Sequence, residues 1–505
     1  MPETPRSLYR IAALRAVEQH SASGLPPHTL MARAGAAAAD WLHARLSASA
    51  TAGRRPVLVL AGPGNNGGDA YIVACELASR GVAVQIWQTA APTAEDARWA
   101  HARAVAAQLP IAPPPTAWPD GMAFDWVIDG LFGIGLTRPL EGKTAALVEQ
   151  LNDRRLRVLA LDIPSGLQAD TGQSAGPIVN ATATLAFLGA TPGLFTGLGR
   201  DVAGDVDVAD LGVSSALGQV DAAATSVTPG TFAHALPQRR HASHKGSHGS
   251  LGVLGGHDGM VGAPLLSARA ALFSGAGRVY AGFVTQSYPA YDAGQPELML
   301  RNAEDIDVAS MQALAIGPGL GTDAAASACL ARALARPDVP LVLDADALNL
   351  LAAEPALAER VRTRGGATVL TPHPLEAARL AGCDVSHVQS DRLAAARGLA
   401  RQFRAVVVLK GSGTIVDDGK RAWINPTGNP ALATAGTGDV LTGLAGALLA
   451  QGMDAANAAL AAVWLHGRAA DNLVANGTGP AGLTASELLP AIRDELNLQM
   501  RAARR

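Results

Sequence analysis

The segment with the clearest chemical potential is GNPALATAGTGDVLTGLAGALLAQG, residues 428–452. Its Gly436, Thr437 and Gly438 would leave backbone N–H groups free at the start of a helix, where a phosphate group binds well. Asp439 follows in the first helical turn, so its carboxylate could accept a proton from an attacking hydroxyl while the loop stabilises the transferred charge. An acid at this position can also simply complement the helix dipole. The flanking glycines and threonine favour a catalytic base.

A second candidate is the glycine-rich segment AGPGNNGGDA, residues 61–70, which contains the G-x-G-x-x-G pattern of dinucleotide-binding turns. The acidic residue expected about 20 positions later, which would hold a ribose hydroxyl, is missing because the next strand ends in IWQT. Asn65, Asn66 and Asp69 add amide and carboxylate oxygens, which suit a hard cation or a hydroxyl-rich ligand. The alternative is that they only cap the following helix.

Two more acidic side chains are predicted to end strands in the same half of the chain. Asp129 closes the run Trp126–Asp129, and Asp162 closes the run Arg157–Asp162. Ligands of parallel sheets bind outside the carboxyl ends of the strands. Three polar strand ends in succession therefore predict one shared pocket.

The second half has further segments of this kind: AIGPGLGT, VLDADALNLL, TPHPLEAARL and LKGSGTIV. Asp344 and Asp346 could lie near a metal-bound phosphate or could simply end a strand. His373 lies between two prolines that fix its backbone, so its ring could face a ligand or pack in a loop. Lys410–Thr414 follow an apolar strand and are typical of a nucleotide-contacting turn.

Alternating strands and helices must position these residues, which predicts an α/β fold with parallel sheets. In the first half the pattern predicts a helical stretch over Leu8–Leu46 and a helix over Asp69–Arg80. It predicts strands at Val57–Ala61, Val82–Trp87, Trp126–Asp129 and Arg157–Asp162. In the second half it predicts strands at Ser250–Gly255, Ala313–Ile316, Leu341–Asp344, Ala367–Leu370 and Ala405–Lys410, and a helix over Gly438–Gln451. A looser stretch near residues 212–249 separates two domains, 1–224 and 225–505.

The composition of the 505 residues excludes several classes of protein. A net charge of −3 gives no global attraction for nucleic acid or anionic membranes, and no apolar run approaches the roughly 20 residues of a membrane span. The three cysteines form no CxxC pair and the N-terminus lacks the apolar core of a secretory signal, so we expect a cytoplasmic protein. The tract HALPQRRHASHKGSHG, residues 234–249, could bind metal, but a solvated basic loop is favoured.

The first half resembles the N-terminal YjeF-type domain of the NAD(P)H-hydrate epimerase family over about Ala34–Gly212, through AGPGNNGGD, IDGLFGIGLTRPLEG and LDIPSG. The resemblance implies a Rossmann-like three-layer domain, a potassium ion held by Asn66, Asp129 and Ser165, and contact of Asp162 with the substrate near the reacting carbon. Our own hypothesis is that Asp162 is catalytic and handles a proton of the hydroxyl or of the ring. Ala70 departs from the family's usual glycine. The residues that would contact the hydrated dinucleotide are Asn65, Asn66, Gly67, Gly68, Asp69, Gly133, Ile134, Gly135, Leu136, Thr137, Arg138, Pro139 and Asp162.

The second half resembles the ribokinase-like NAD(P)H-hydrate dehydratase family over about Thr228–Glu495. The resemblance implies a ribokinase-like α/β domain with Asp439 as catalytic base and magnesium as a second metal. The hydrate would be contacted by Ala263, Gly319, His373 and Asp439, and ADP by Lys410, Gly411, Ser412, Gly413, Thr414 and Gly438. Leu375, Ala431, Leu432 and Ala435 depart from the family pattern, which bears on the fit of the ligand loop.

Both domains in this order resemble the bacterial bifunctional NAD(P)H-hydrate repair enzymes. The resemblance implies that the R and S epimers of NADH-hydrate and NADPH-hydrate are interconverted. The S epimer would be dehydrated to NAD(P)H with ADP as co-substrate, giving AMP and phosphate. It also implies a homo-oligomer, such as a tetramer.

The chemistry of these two activities is coherent. Hydroxide is a poor leaving group, whereas a phosphorylated hydroxyl can be expelled by the lone pair of the neighbouring ring nitrogen. A fixed phosphoryl donor reaches one face of the ring, so an epimerase makes the other epimer usable. One alternative is a ribokinase-like small-molecule kinase with a non-catalytic nucleotide-binding N-terminal domain. Another is that the first domain only binds its ligand.

Overall fold

The computed structural model describes residues 4–48, 55–119 and 121–503. The chain divides into two compact units, one formed by Arg6–Ala224 and the other mainly by the residues from Thr225 onward. Each unit has its own parallel sheet and its own buried apolar core. Both units therefore have the α/β organisation that the sequence predicts.

The elements of the N-terminal unit alternate along most of its length. Its strands are β1 (Ser7–Leu8), β2 (Val57–Ala61), β3 (Val84–Gln88), β4 (Ile111–Ala112), β5 (Val127–Gly130), β6 (Val158–Leu161), β7 (Ala183–Phe187) and β8 (Asp205–Ala209). Its helices are α1 (Ile11–Ala22), α2 (Thr29–Ser47), α3 (Asn65–Ser79), α4 (Glu95–Ala106), α5 (Gly142–Asp153), α6 (Gly199–Val202) and α7 (Ser214–Leu217). The sheet order is β4-β3-β2-β5-β6-β7-β8, and all of these strands pair in parallel.

Strand β2 explains why this unit has three layers. All five residues of its VLVLA sequence are buried, as expected for a central strand of a parallel sheet. Val57, Val59 and Ala61 join the core that contains α2 and α3, whereas Leu58 and Leu60 join the core that contains α5. Successive side chains point to opposite faces of a strand, so helices cover both faces of the sheet.

The C-terminal unit has the same alternation with more elements. Its strands are β9 (Ala224–Ser226), β10 (Ser250–Gly255), β11 (Arg278–Phe283), β12 (Met299–Asn302), β13 (Ala313–Ile316), β14 (Leu341–Leu343), β15 (Thr368–Leu370), β16 (Val406–Leu409), β17 (Ile415–Asp417) and β18 (Ala422–Ile424). Its helices are α8 (Pro229–Phe232), α9 (Gly262–Phe273), α10 (Ala324–Leu334), α11 (Ala345–Ala353), α12 (Pro355–Thr363), α13 (Pro374–Ala381), α14 (Val385–Ser390), α15 (Arg392–Phe403), α16 (Thr437–Ala450), α17 (Ala455–Ala475) and α18 (Leu488–Ala502). Within this unit the sheet order is β9-β18-β17-β16-β15-β14-β13-β10-β11-β12, and only the pairings of β17 are antiparallel among these described strands.

Helix α16 lies at the centre of the C-terminal core. From Val440 to Ala450 every residue is buried, because its TGDVLTGLAGALLA sequence carries no large polar side chain after the first turn. Two of its glycines permit close packing: Gly443 lies against the backbone of Ser267 on α9, and Gly446 lies against Leu251 on β10. The burial of α16 fixes the position of its N-terminus and hence of Asp439.

The predicted elements are present, but many of their boundaries differ by one or more residues, and the following differences bear on the sites. The stretch predicted as helical over Leu8–Leu46 forms two helices, separated near His28, whose backbone is left-handed with φ 65°. Helix α3 begins at Asn65 rather than near Asp69, because Gly64 serves as its N-cap and the following glycines adopt helical geometry. Strands β14 and β16 end one residue earlier than predicted, which leaves Asp344 and Lys410 beyond the strand ends.

No helix among the described residues is both long enough and apolar enough to cross a membrane.

The substitution Gly443→Ala tests the close packing of α16. An added Cβ would lie 1.9 Å from the carbonyl oxygen of Ser267, so we expect the free energy of unfolding of this unit to fall by about 1–3 kcal/mol. Gly398→Ala on α15 is the matched control, because Gly398 is exposed with nothing within 4 Å of its added Cβ. There we expect a gain of roughly 0.5–1 kcal/mol. Guanidinium unfolding measures both, and equal effects of the two substitutions would contradict the packing explanation.

Candidate active sites

The N-terminal unit contains a cavity of about 790 Å³ at the carboxyl ends of its central strands. Among the residues predicted for the first site, the structure brings Asn65, Asn66, Asp69, Gly133, Ile134, Gly135, Leu136, Thr137, Arg138 and Asp162 to its wall. Gly67, Gly68 and Pro139 do not line it. Gly67 packs against the backbone of Gly62, and Gly68 packs against Met31. These two glycines therefore shape the wall from behind.

Close backbone contacts explain the glycine-rich turn before α3. An added Cβ on Gly62 would lie 1.8 Å from the carbonyl oxygen of Leu131, and one on Gly67 would lie 1.9 Å from that of Gly62. Ala70, which departs from the family's glycine, is fully buried against Gly130. Because Gly130 itself has no side chain, the methyl group of Ala70 fits there.

Asp129 and Ser165 form a buried hydrogen-bonded pair beneath the cavity. Both side chains are fully buried; the Ser165 hydroxyl donates to Asp129 Oδ1 at 2.7 Å, and the Ser165 backbone N–H donates to Oδ2 at 2.8 Å. Burial raises the pKa of Asp129 to about 6, although these donors and the N–H of Leu131 lower it. A cation near this carboxylate would offset the cost of burying its charge.

Asn66 adds an unsatisfied amide to this region. It is 7% exposed, and neither polar atom of its side chain has a hydrogen-bond partner among the described residues. Gly133 lies close to the Asn66 side chain and to Asp162 Oδ2. Buried polar groups are nearly always satisfied in native proteins. Asn66, Asp129 and Ser165 carry amide, carboxylate and hydroxyl oxygens, which are donors that suit a hard cation.

Carboxyl groups control the electrostatics of the cavity. Asp162 Oδ2 accepts from the backbone N–H of Ile134 at 2.8 Å, and burial raises the pKa of Asp162 to about 6. Burial raises the pKa of Asp69 well above its ordinary value, and the nearby charge of Asp162 raises it further. Glu18 lies close enough to raise both pKa values. At neutral pH one carboxyl group can thus be protonated beside an ionised one, as in acid–base sites.

Several wall residues have unusual backbones. Among the described wall residues, His28, Asp162, Leu188 and Leu211 are non-glycine residues with left-handed φ values of 53–66°. Such conformations cost energy and cluster at functional sites. The loops that carry Asp162 and its neighbours are therefore held in place by the surrounding fold.

Sequence reasoning missed part of this wall. Arg15 and Glu18 reach it from α1, and His28 and Asp96 form a hydrogen-bonded pair there. His28 also stacks on Trp99, with ring centroids 4.5 Å apart. No local motif marks these residues, because they come from separate helices that only the folded unit brings together.

In the C-terminal unit the predicted site residues gather at the carboxyl edge of neighbouring parallel strands. Asp344 follows β14, His373 follows β15 and Lys410 follows β16. Gly319 follows β13, and its backbone lies against Met260 and Ala263, at the start of α9. The N-terminus of α16 faces the same edge, because Gly438 lies within van der Waals distance of the Lys410 ammonium.

A buried ion pair connects these strand ends. Lys410 Nζ donates to Asp344 Oδ1 at 2.7 Å, and the Thr442 hydroxyl of α16 donates to Asp344 Oδ2 at 2.7 Å. Lys410 Nζ also lies 3.8 Å from Glu376 Oε2. Burial acts to lower the pKa of Lys410, but Asp344 and Glu376 outweigh it and raise the pKa. The ammonium therefore stays charged beside Gly438.

Asp439 lies in this environment with a strongly shifted acidity. Burial and, to a smaller extent, the charge of Asp344 raise its pKa to about 7, against the lowering effect of the Lys410 ammonium. Its backbone carbonyl accepts from the Ser267 hydroxyl of α9 at 2.7 Å, which ties the first turn of α16 to α9. A carboxyl group with a pKa near neutrality is suited to act as a general base.

His373 is the N-cap of α13. Its Nδ1 accepts from the backbone N–H groups of Leu375 and Glu376, at 3.1 and 3.4 Å, and Glu376 Oε2 accepts from the His373 N–H at 2.8 Å. Burial lowers the pKa of His373, as does the Lys410 charge. Its ring is thus neutral, part-exposed at the site edge and fixed by a capping box. Sequence reasoning missed Glu376, although an acid three residues after a cap is a recognisable signal.

His466 supports the glycine turn from behind. On α17 its imidazole hydrogen-bonds the carbonyl of Thr437, and burial lowers its pKa to about 4. Its Nε2 is buried without a hydrogen-bond partner within the described part of the chain. The neutral ring helps to orient the Thr437–Gly438 peptide.

In the ranges that the structure describes, no group of three or more His, Cys, Asp or Glu side chains is arranged to hold a metal ion. His241, His244 and Lys245 of the His-rich tract are exposed.

Comparison with known proteins covers both units. A family model described as YjeF-related protein N-terminus matches residues 27–193, and one described as NAD(P)H-hydrate dehydratase matches residues 251–493. A bifunctional NAD(P)H-hydrate repair enzyme of Vibrio cholerae is 40% identical over 504 residues, covering 98% of this chain and 99% of that protein. An ADP-dependent (S)-NAD(P)H-hydrate dehydratase of Neisseria meningitidis is 47% identical over 267 residues, 52% of this chain and 90% of its own.

Among solved structures, an ADP/ATP-dependent NAD(P)H-hydrate dehydratase of Bacillus subtilis, co-crystallised with ATP and Mg²⁺, is 32% identical. It aligns with 55% of this chain and 98% of its own, with a TM-score of 0.47.

The substitution Thr442→Val tests the support of Asp344. It removes one donor from a buried carboxylate at nearly constant volume, so we expect the free energy of unfolding to fall by about 1.5–3 kcal/mol at pH 7. Thr442→Ser keeps the hydroxyl and serves as control. Burial acts to raise the pKa of Asp344, but Lys410 outweighs this effect and the pKa is lowered. The stabilisation by Thr442 is therefore present at neutral pH and is lost as Asp344 protonates below about pH 4. An equal loss of unfolding free energy in Thr442→Val and Thr442→Ser would contradict this account, as would a difference between the two variants that persists in acid.

Proposed function

The chain belongs to the bifunctional NAD(P)H-hydrate repair enzymes. We propose that the cavity of the N-terminal unit and the strand edge around Asp439 in the C-terminal unit are the two active sites of that repair. The protein is an enzyme with an NAD(P)H-hydrate epimerase domain and an NAD(P)H-hydrate dehydratase domain. The resemblance and the bifunctional activity predicted from the sequence are thereby confirmed. The individual roles of the residues and the domain limits 1–224 and 225–505 remain predictions.

The observation that carries the dehydratase assignment is the position of Asp439. Its part-buried carboxyl group lies at the N-terminus of α16, next to the N–H groups of the glycine turn and near the Lys410 ammonium. A base beside an anion-binding turn is the arrangement that phosphoryl transfer needs. The neutral ring of His373, with Ala263 and Gly319, would contact the hydrate.

In our mechanism Asp439 removes the proton of the hydrate's hydroxyl while the oxygen attacks the terminal phosphoryl group of ADP. The N–H groups of the turn and the ammonium of Lys410 balance the charge that develops on the phosphoryl oxygens. AMP leaves, and the ring nitrogen then expels phosphate to give an iminium ion. Loss of a proton from the neighbouring ring carbon to the released phosphate restores the dihydropyridine. The residues proposed to hold ADP are Lys410, Gly411, Ser412, Gly413, Thr414 and Gly438. Magnesium, when bound with the nucleotide, would neutralise phosphate charge.

In the epimerase site we propose that Asp162 handles the proton. Its carboxyl group faces the cavity, is oriented by the Ile134 N–H, and has a pKa of about 6 raised by burial. Asn65–Asp69 and residues 133–139 would surround the hydrated nicotinamide dinucleotide.

Asn66, Asp129 and Ser165 would hold potassium. The support is the unsatisfied amide of Asn66 beside a buried carboxylate. A bound potassium ion would supply positive charge near the substrate's phosphates and hydroxyls. A homo-oligomer such as a tetramer rests on the family resemblance alone, and a cytoplasmic location rests on the cysteine usage of the sequence.

The shifted acidity of Asp439 predicts a pH dependence. A base must be ionised to act, so the dehydration rate should fall as the pH drops below about 7, with one proton taken up. The profile of kcat for the S epimer at saturating ADP measures this. An acidic limb with an apparent pKa near 4 would exclude Asp439 as the titrating base.

Recovery of dihydronicotinamide absorbance from an epimer mixture of NADH-hydrate tests the whole assignment. With ADP, magnesium and potassium we expect complete recovery. Asp439→Asn should lose dehydration by about 10²–10⁴-fold while epimerisation continues. With Asp162→Ala, absorbance should recover from the S epimer only. Replacing potassium by tetramethylammonium should slow epimerisation.

Other outcomes of this assay point elsewhere. Full dehydration by Asp439→Asn would contradict the base assignment. Recovery that stops at one epimer in the wild type would make the first domain a binding module. A stable phosphorylated product without dihydronicotinamide would support the kinase alternative.

A further inference from the structure

Arg392 lies directly behind the loop of residues 410–414. It is the first residue of α15 and is 2% exposed. One guanidinium nitrogen donates to the carbonyl oxygens of Leu409 and Lys410, at 3.3 and 3.2 Å, and the other donates to Gln389 Oε1 at 2.8 Å. The guanidinium thus spans the end of β16 and the start of the loop.

Holding a cation in this place is costly. Burial lowers the pKa of Arg392 to about 10, so the group is still charged at neutral pH. A buried charge loses its hydration, and the N-terminus of a helix is the end that disfavours positive charge. A neutral side chain could fill the same space. The positive charge and the several N–H donors of the guanidinium therefore indicate a role beyond packing.

The contacts of Arg392 set the direction of the loop's peptide groups. A trans peptide is planar, so its C=O and N–H point to opposite sides. Because Arg392 holds the carbonyl of Lys410, the N–H of Gly411 points away from the guanidinium. The N–H of Lys410 donates to Pro372 O at 2.9 Å, which fixes the preceding peptide as well.

Gly411 is shaped for this contact. Its φ is +132°, and an added Cβ would lie 3.0 Å from both terminal guanidinium nitrogens. The backbone of the loop therefore lies flat against the guanidinium, which only glycine permits. The positive charge of Arg392 therefore lies directly behind the backbone of the loop.

We propose that Arg392 is a positioning residue for the nucleotide: it turns the N–H of Gly411 toward the phosphates of ADP and places a fixed positive charge behind the 410–414 loop. This inference rests on the proposed role of residues 410–414 in binding ADP. It assigns no part to Arg392 in binding the hydrate, so the two substrates should respond differently to its removal.

Steady-state kinetics of the full-length enzyme on the S epimer test this. Arg392→Met should raise the KM for ADP by about tenfold or more, while the KM for the hydrate changes by less than about twofold. Arg392→Lys keeps the positive charge but loses the planar guanidinium donors, so its affinity for ADP should lie between those of Arg392→Met and the wild type. Epimerisation by the same variants should be unchanged.

Arg397→Met is the matched control on the same helix. Arg397 pairs with the buried Asp417 at 2.6 Å, away from the loop, so its loss should lower the thermal stability but leave the KM for ADP unchanged. If Arg392→Met does not fold, Gln389→Ala tests the inference instead, because it removes one hydrogen-bond partner of the Arg392 guanidinium. It should raise the KM for ADP by about two- to fivefold.

Three results would overturn the inference. The first is an unchanged KM for ADP in Arg392→Met or, where that variant does not fold, in Gln389→Ala. The others are an equal rise of the KM values for ADP and for the hydrate, and the same rise of the KM for ADP in Arg397→Met. Its failure is distinguishable from failure of the proposed function. A wild type whose dehydration does not saturate with ADP would refute the nucleotide site itself. A wild type that saturates, with variants that behave like it, refutes only the role of Arg392.

Discussion

Each unit depends on one carboxylate that is buried at a strand end of its sheet and satisfied by groups from other elements. In the N-terminal unit Asp129 is held by the backbone and hydroxyl of Ser165. In the C-terminal unit Asp344 is held by Lys410 and by Thr442. Such a charge costs several kcal/mol if its partners are removed, so these contacts fix how adjacent strand ends and the following loops can lie. The residues that we propose to act at the two sites are Asn66 and Asp162 in one unit and Asp439 in the other.

Burial also gives the reactive carboxyl groups their chemistry. The pKa of Asp439 rises to about 7 and that of Asp162 to about 6, in each case mainly through burial. In water both groups would be weak bases at neutral pH. The dehydratase site balances this effect with Lys410, whose charge lowers the pKa of Asp439. The epimerase site instead places further carboxyl groups, Asp69 and Glu18, beside Asp162, which favours one retained proton. The two sites thus suit different proton transfers on the same class of substrate.

Small residues make both arrangements possible. Gly62 and Gly67 let the turn before α3 approach the loop after β5, and Gly443 lets α16 pack on the backbone of α9. These contacts place a helix N-terminus at each strand edge, where its N–H groups can face an anion. The high glycine content of the chain, 55 residues, is in part a consequence of these backbone approaches. It also accounts for the tolerance of Ala70, whose methyl group is accommodated by Gly130.

The repair chemistry and the order of the two catalytic domains were indicated by the resemblance of the sequence motifs to known families. The sequence by itself determined the α/β class and the strand-end and helix-start positions of Asp129, Asp162 and Asp439. It could do so because strand periodicity, glycine turns and polar strand ends are local patterns. The tertiary structure decided which groups surround these residues. Glu18 and Asp96 come from distant helices, and Arg392 and Thr442 reach Lys410 and Asp344 only after the sheet has formed. The pKa shifts belong to the same category, because burial and neighbouring charge are properties of the packed chain rather than of any motif.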